Sequence, residues 1–146
     1  MRTKLNYLFI LITFAFLHSC GNPKPQLNDF VGTWKSKDNA HIILNQNGTC
    51  ILKGVNYFKI NTFPKNNNTK LNTEGTWRLV NNVDSGIIDG INNGISIVYT
   101  IPKDRLKGEI IFYISGHGLT GNNPPWSLFI WDGDPDDMNR YEFTKE

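Results

Sequence analysis

The densest acidic cluster of the chain lies near its C-terminus. Asp132, Asp134 and Asp136 alternate along it, and carboxylate oxygens are the ligands that Ca²⁺ prefers. The comparison with a Ca²⁺-binding EF-hand loop fails, because Asp137 stands where the loop needs glycine and Phe143 where it needs glutamate. Asp-Gly and Asp-Pro are good turn residues. The sequence therefore favours a turn here, with a metal site as the alternative.

His117 is the second candidate for chemistry. It follows Ser115 by two positions, and an imidazole there could act as a base toward that hydroxyl or toward a bound molecule. Residues two apart on a strand share a face without fixing a nucleophile–base hydrogen bond, and no carboxylate can be assigned to orient the ring. The chain also lacks GxSxG, HExxH, P-loop and GxGxxG motifs. We expect no catalytic residue and no cofactor.

The N-terminus predicts export. A positive start with Arg2 and Lys4 precedes an apolar run, LFILITFAFL, at 8–17. The uncharged stretch 5–19 falls short of the roughly 20 apolar residues that cross a bilayer. This pattern is typical of a cleaved secretory signal peptide rather than of a membrane span.

The residues that follow the apolar run resemble the bacterial lipobox. Leu17 lies three positions before Cys20, and the small Ser19 precedes the cysteine. The resemblance implies a lipoprotein signal peptide at 1–19, cleavage before Cys20 and acylation of its thiol and new amino group. Two or more acyl chains anchor stably, since each buried CH₂ contributes about 0.8 kcal/mol. The alternative is a cysteine that merely follows a signal peptide.

The residue after Cys20 bears on where the protein is anchored. Gly21, by analogy with enteric lipoproteins, permits transfer to the outer membrane. We therefore expect a lipid-anchored protein of the cell envelope, attached to the outer membrane and facing the periplasm.

Charge and cysteine content exclude several other functions. Cleavage removes two of the 15 basic groups, Arg2 and Lys4, which leaves 13 basic and 13 acidic groups. A mature chain without net charge gives no support for nucleic-acid binding, and we expect no such partner. With Cys20 acylated, only Cys50 remains, so no intramolecular disulfide is possible. Cys50 lies in an apolar run and reads as a small buried hydrophobic residue.

The mature chain divides into a tether and one domain. Residues 20–28 contain two prolines and one aliphatic residue, which is typical of an extended linker. Residues 29–146 alternate between apolar and polar positions, without a window of helical periodicity. Pairs such as Asn47-Gly48 and Asn93-Gly94 suit tight hairpin turns. The predicted strands are 31–37, 40–45, 49–60, 72–80, 86–91, 94–101, 109–115, 126–131 and 139–144.

This pattern predicts an all-β domain of about eight antiparallel strands, either an up-and-down barrel or a two-sheet sandwich. The GTW triplet with Gly32 and Trp34 resembles the GxW signature of lipocalins. A second GTW at 75–77 is similar to small lipocalin-like lipoproteins of the Bacteroidetes, whose function is uncharacterised. The resemblance implies an up-and-down barrel whose floor Trp34 closes, with Arg140 packed over the indole.

The aromatic residues exceed what a small barrel needs to close its floor. Two long loops are expected at 61–70 and 116–125, and we predict Phe63, His117 and Trp126 as ligand-contacting or partner-contacting residues at the barrel mouth. The first hypothesis is a non-catalytic binding protein for a small apolar ligand. The second is an envelope inhibitor or immunity-type protein that binds another protein through these loops. The third, an enzyme centred on His117, is the least supported.

Overall fold

The structure is a computed structural model that describes residues 23–61, 69–83, 93–103, 105–118 and 123–146. The predicted signal peptide, the lipobox with Cys20, Phe63 and the predicted strand 86–91 lie outside these residues. None of the helices in the described ranges is long and apolar enough to span a bilayer.

Eight antiparallel strands form a closed barrel in which each strand pairs with the next along the chain and β8 pairs with β1. The prediction of an all-β up-and-down barrel is confirmed. The strands are β1 (Gly32–Ser36), β2 (His41–Leu44), β3 (Thr49–Asn56), β4 (Lys70–Asn81), β5 (Asn93–Thr100), β6 (Lys107–His117), β7 (Asn123–Trp131) and β8 (Arg140–Lys145). Two single-turn helices, α1 (Leu27–Phe30) and α2 (Tyr57–Ile60), precede β1 and follow β3, and a 3₁₀ turn (Pro135–Asp137) joins β7 to β8.

Period-two alternation explains why these segments are strands. On β2, Ile42 and Leu44 are buried while the intervening Ile43 is only partly so, and the same alternation runs along β8. Inward side chains from all eight strands form one hydrophobic cluster, because a barrel of eight strands is just wide enough to be filled by its own residues. The largest fully buried side chains are Trp34, Phe30, Phe112, Phe129 and Phe143.

Successive connections of an up-and-down barrel alternate between its two ends. We call the end that carries the connections β1–β2, β3–β4, β5–β6 and β7–β8 the mouth. The opposite end, which carries α1 and the remaining connections, is the floor. Helix α2 therefore belongs to the mouth and α1 to the floor.

Two turn and strand predictions need correction. Asn93-Gly94 opens strand β5 instead of forming a hairpin turn, and Gly94 pairs with both Val80 and Tyr113. Strand β3 ends at Asn56, and residues 57–60 turn into α2 because the Asn56 side chain accepts a hydrogen bond from the Phe58 N–H. Asn47-Gly48 does form the predicted turn, with Gly48 at φ +82°.

Candidate binding site at the barrel mouth

The barrel floor is closed by α1. The Phe30 ring stacks on Trp34 with a centroid distance of 5.8 Å, and the Trp34 Nε1–H donates to the Phe30 carbonyl at 2.8 Å. Lys145 crosses beneath them, donating from Nζ to the Asp29 carbonyl at 2.7 Å with its cation 5.8 Å from the Trp34 ring. The one polar atom of the Trp34 indole is therefore hydrogen-bonded.

The second GTW triplet also serves the floor. Trp77 is buried, and its Nε1–H donates to the carbonyl of Asn45, in the β2–β3 turn, at 2.8 Å. The two triplets need glycine for different reasons. Gly32 has φ +133°, which residues with a side chain rarely adopt, whereas a Cβ on Gly75 would come within 2.1 Å of the Val98 carbonyl oxygen. The first glycine is therefore required by the backbone conformation and the second by the close approach of β5.

The expected packing of Arg140 over Trp34 is corrected by the structure. Lys145 is the cross-strand partner of Trp34, and it occupies the place expected for the arginine. Arg140 lies at the other end of β8 and points outward, since inward positions on this strand are odd-numbered. Its guanidinium carbon is 4.1 Å from the Phe129 ring centroid and 5.1 Å from that of Trp131. Arg140 therefore covers the outside of the wall by cation–π contact.

The two long loops do not share one end of the barrel. The β3–β4 connection lies at the mouth, whereas the β6–β7 connection lies at the floor. His117 is exposed at the floor end of β6, and Trp126 is buried in the core near the same end. The prediction that they line the mouth together with Phe63 is thus corrected for His117 and Trp126. Phe63 lies outside the described residues.

Helix α2 crosses the mouth from β3 toward β7. Tyr57 and Ile60 pack against the hydrophobic cluster from above. Lys59 forms an ion pair with Asp132 at the end of β7, and its Nζ lies 4.9 Å from the Tyr141 ring centroid. Since β3 and β7 are separated by half the barrel, this ion pair fastens α2 across the opening.

A cleft of about 420 Å³ lies beside α2, at the mouth end of β6 and β7. We call it the mouth cleft. Its apolar lining comes from both faces of the barrel wall, with Ile110 and Ile130 from the inner face and Ile111 and Trp131 from the outer face. Phe58 and Ile60 of α2 contribute another wall, and the Lys59–Asp132 pair forms its charged rim. The cleft therefore combines apolar side chains with the polar groups of Lys59, Asn61 and Asp132, and small-molecule sites also pair an apolar lining with polar groups that fix orientation.

The cleft exists because β6 and β7 diverge there. Strand β6 pairs with β5 from Lys107 to Tyr113, but its register with β7 begins only at Tyr113, opposite Phe129. Beyond that point, Ile130 and Trp131 pair with β8 alone among the described strands. In the described part of the chain, the wall is therefore open between β6 and β7 toward the mouth.

One buried polar atom at this cleft has no partner. Trp131 Nε1 is the only buried side-chain nitrogen or oxygen without a hydrogen bond in the described part of the chain. The Trp131 ring packs edge-on against Phe129 with a centroid distance of 5.2 Å. An unsatisfied buried donor costs about 1–3 kcal/mol, so this atom marks a place where packing alone leaves a hydrogen bond unmade.

A polar network centred on Asp38 holds the other side of the mouth. Asp38 accepts hydrogen bonds from Ser36, from Lys70 at 2.9 Å and from Tyr141 Oη at 3.2 Å. Burial raises the pKa of Asp38, but the hydrogen bonds from Ser36 and Lys70 outweigh it, and the pKa lies below its ordinary value of 3.8. Burial raises the pKa of Tyr141 to about 12. This network joins β1, β4 and β8 and leaves Asp38 ionised.

The aspartates near the C-terminus act in the β7–β8 connection. Asp134 Oδ1 accepts from the Asp136 N–H at 3.0 Å and caps the 3₁₀ turn, while Asp132 is paired with Lys59. No group of three metal-ligating side chains comes together within the described ranges. The favoured turn reading matches this geometry.

Cys50 is buried on β3, as expected of a structural residue. It is 1% exposed, and burial raises the pKa of its thiol to about 11, an effect that a backbone hydrogen bond from Gly75 partly offsets. A thiol that stays protonated is a poor nucleophile and a poor metal ligand.

Sequence reasoning missed the residues of the mouth cleft. Ile111, Ile130 and Trp131 read as ordinary members of alternating strands, and nothing in their spacing indicates that β6 and β7 separate. The available signal was Trp131, an aromatic residue on the outward parity of β7 directly before a turn. No family model, no curated protein and no solved structure matches this chain.

Proposed function

We propose that this is an exported, lipid-anchored protein whose non-catalytic, lipocalin-like domain binds a small apolar ligand at the mouth cleft. The observation that carries the proposal is the cleft itself, whose volume of about 420 Å³ falls within the roughly 300–1,000 Å³ of small-molecule sites. The large aromatic side chains that fill the barrel favour the cleft over the interior as the place of binding.

Membrane attachment is part of the same proposal. The lipobox resemblance supports acylation of Cys20, and Gly21 supports an outer-membrane location facing the periplasm. Exchanging Cys20→Ser should release the protein from the membrane fraction and remove the acyl mass from its N-terminal peptide. A Cys20→Ser protein that sediments with the membrane as before would contradict the anchor.

Ligand binding is tested with an uncharged fluorescent probe, N-phenyl-1-naphthylamine, added to the exported Cys20→Ser protein. Saturable binding is expected, and Ile111→Lys should weaken it by roughly tenfold or more, because it replaces apolar lining of the cleft with a charged side chain. Leu106→Lys is the matched control, since Leu106 is exposed at the same end and does not line the cleft. Equal loss in both variants would refute the cleft as the site.

The natural ligand is sought by native mass measurement. The Cys20→Ser protein, exported by its own host and purified gently, should carry an added mass of a few hundred daltons. A mass without any addition would contradict a bound small ligand and favour the second candidate.

The second candidate is an envelope inhibitor or immunity-type protein that binds another protein. One observation favours it. Of the exposed large apolar side chains in the described residues, all but Leu27 lie at or beside the mouth: Phe58, Leu106, Ile111 and Met138. Such a cluster is typical of an interaction surface. The double variant Leu106→Lys/Met138→Lys should then lose a partner that both the parent and Leu27→Lys capture from envelope extracts.

A further inference from the structure

The edge of β6 that faces the cleft lacks a strand partner among the described residues. Six residues, 107–112, pair with β5 on one side, and no described strand pairs with them on the other. Backbone N–H and C=O groups need hydrogen-bond partners, and an unpaired strand edge is a template for another strand.

The facing side of the cleft is also a strand edge. Extending the register from Tyr113 and Phe129 would place Ile111 opposite Trp131, yet these two residues are not paired and both line the cleft. Trp131 pairs with Arg140 on its other side. The cleft is therefore bounded by β6 and β7, and each of them is paired on its far side, β6 with β5 and β7 with β8.

We propose that the mouth cleft takes a short apolar peptide in extended conformation, which inserts between β6 and β7 and pairs through its backbone with the edge of β6. The inference rests on the proposed function, because it names the chemical class of the ligand that the cleft binds. Strand addition is an established mode of peptide recognition in which main-chain hydrogen bonds supply affinity and side-chain pockets supply selectivity.

The side chains around the cleft fit such an occupant. Successive side chains of an extended peptide point to opposite faces. Ile110 and Ile130 would meet those on the inner face, and Ile111 and Trp131 those on the outer face. The cleft meets the unpaired edge of β6 at residues 110–112, which is about 7 Å of strand at roughly 3.3 Å per residue. It therefore suits about three residues with apolar side chains.

Hydrogen bonding favours a peptide over a hydrocarbon ligand. A hydrocarbon would fill the volume and leave the β6 edge and the Trp131 Nε1–H unpaired. A peptide backbone supplies donors and acceptors at the spacing of a strand and continues the ladders that β5–β6 and β7–β8 already form.

The test uses a capped pentapeptide of alternating valine and alanine with the full-length Cys20→Ser protein. Its control is the same peptide N-methylated at every internal amide, which keeps the side chains and removes the donors. We expect the unmodified peptide to bind roughly tenfold or more tightly than the methylated one. Amide hydrogen exchange at residues 107–112 should slow by about tenfold or more when the peptide is bound.

Two variants locate the contact. Ile111→Lys should abolish peptide binding and the slowed exchange, whereas Leu106→Lys should preserve both. Equal affinity for the two peptides, or unchanged exchange at 107–112 under saturating peptide, overturns the proposal.

The naphthylamine probe separates this inference from the function on which it rests. If the probe binds in an Ile111-dependent manner and the peptide does not bind, the cleft remains a ligand site and the peptide proposal is rejected. If neither binds, both proposals are rejected.

Discussion

The floor and the mouth of this barrel each carry a single-turn helix and a tryptophan, but the two ends differ in their hydrogen bonding. At the floor, the N–H groups of Trp34 and Trp77 both donate to backbone carbonyls at 2.8 Å. At the mouth, the buried Nε1–H of Trp131 has no acceptor among the described residues. The floor helix α1 is stacked and hydrogen-bonded, whereas α2 is fastened across the mouth by the Lys59–Asp132 pair, whose side chains are 30% and 35% exposed.

The difference separates stability from binding within one small domain. A satisfied buried hydrogen bond contributes about 1 kcal/mol, whereas an exposed ion pair contributes roughly 0–1 kcal/mol. The floor therefore has what a permanent closure requires. Among the described residues, the mouth keeps an unpaired strand edge and an unmet donor beside α2, which are features of a site that binds something.

The largest test of this contrast is truncation of the floor indole. Trp34→Ala removes a fully buried ring together with the stack on Phe30, and we expect a loss of about 3–5 kcal/mol in the free energy of unfolding. Urea denaturation measures it on the Cys20→Ser protein. Trp131→Ala at the mouth should cost less than half as much, and equal losses would remove the distinction between the two ends.

The lysine beneath the floor should have the next largest effect. Lys145→Met keeps the apolar stem over Trp34 but removes the hydrogen bond to the Asp29 carbonyl and the cation. We expect a loss of about 1 kcal/mol, because the amine is exposed. Arg140→Met serves as the comparison, and a larger loss there than at Lys145 would restore the arginine as the more important cation.

The mouth network should respond to acid. The folded-state pKa of Asp38 lies below 3.8, so its contribution is present above the unfolded-state pKa and is lost as the pH falls through the folded-state value. Asp38 is 35% exposed, and screening limits the contribution to about 1 kcal/mol or less. The difference in unfolding free energy between the parent and Asp38→Asn should therefore shrink from pH 6 to pH 3. A constant difference would show that the carboxylate charge is not involved.

The smallest effect is expected at the unpaired indole. Trp131→Phe keeps an aromatic ring against Phe129 and removes the unmet N–H, so stability should change by less than about 0.5 kcal/mol or increase. Trp34→Phe is the matched exchange at the floor, where the Phe30 carbonyl loses its donor and the cost should reach about 1–2 kcal/mol. Equal values for the two exchanges would show that the Trp131 N–H is satisfied in solution.

Strand alternation was enough to predict the fold, whereas the placement of the loops depends on the strand count. Eight of the predicted strands correspond to β1–β8, and the ninth, at 86–91, lies outside the described residues. Each strand added to an up-and-down barrel moves all later connections to the opposite end. Because β4 pairs directly with β5, the β6–β7 connection, with His117 and Trp126, lies at the floor.

The remaining errors come from cross-strand pairing, which cannot be predicted from local sequence patterns. Parity alone indicates that Arg140 points away from the inward Tyr141 and Phe143. Choosing Lys145 as the cation under Trp34 further needs the β1–β8 register. The separation of β6 from β7 is likewise a property of two distant segments, and neither Ile111 nor Trp131 signals it locally.

The position of α1 has a consequence for orientation at a surface. The chain enters the barrel at the floor, and Cys20 precedes Leu27 by seven positions, a reach of at most about 25 Å. Strand β4 alone, at twelve residues, is about 40 Å long, so a lipid on Cys20 would hold the floor beside the bilayer and keep the mouth at a distance from it. The β6 edge would then point into the aqueous space, where extended chains pass by rather than lipid.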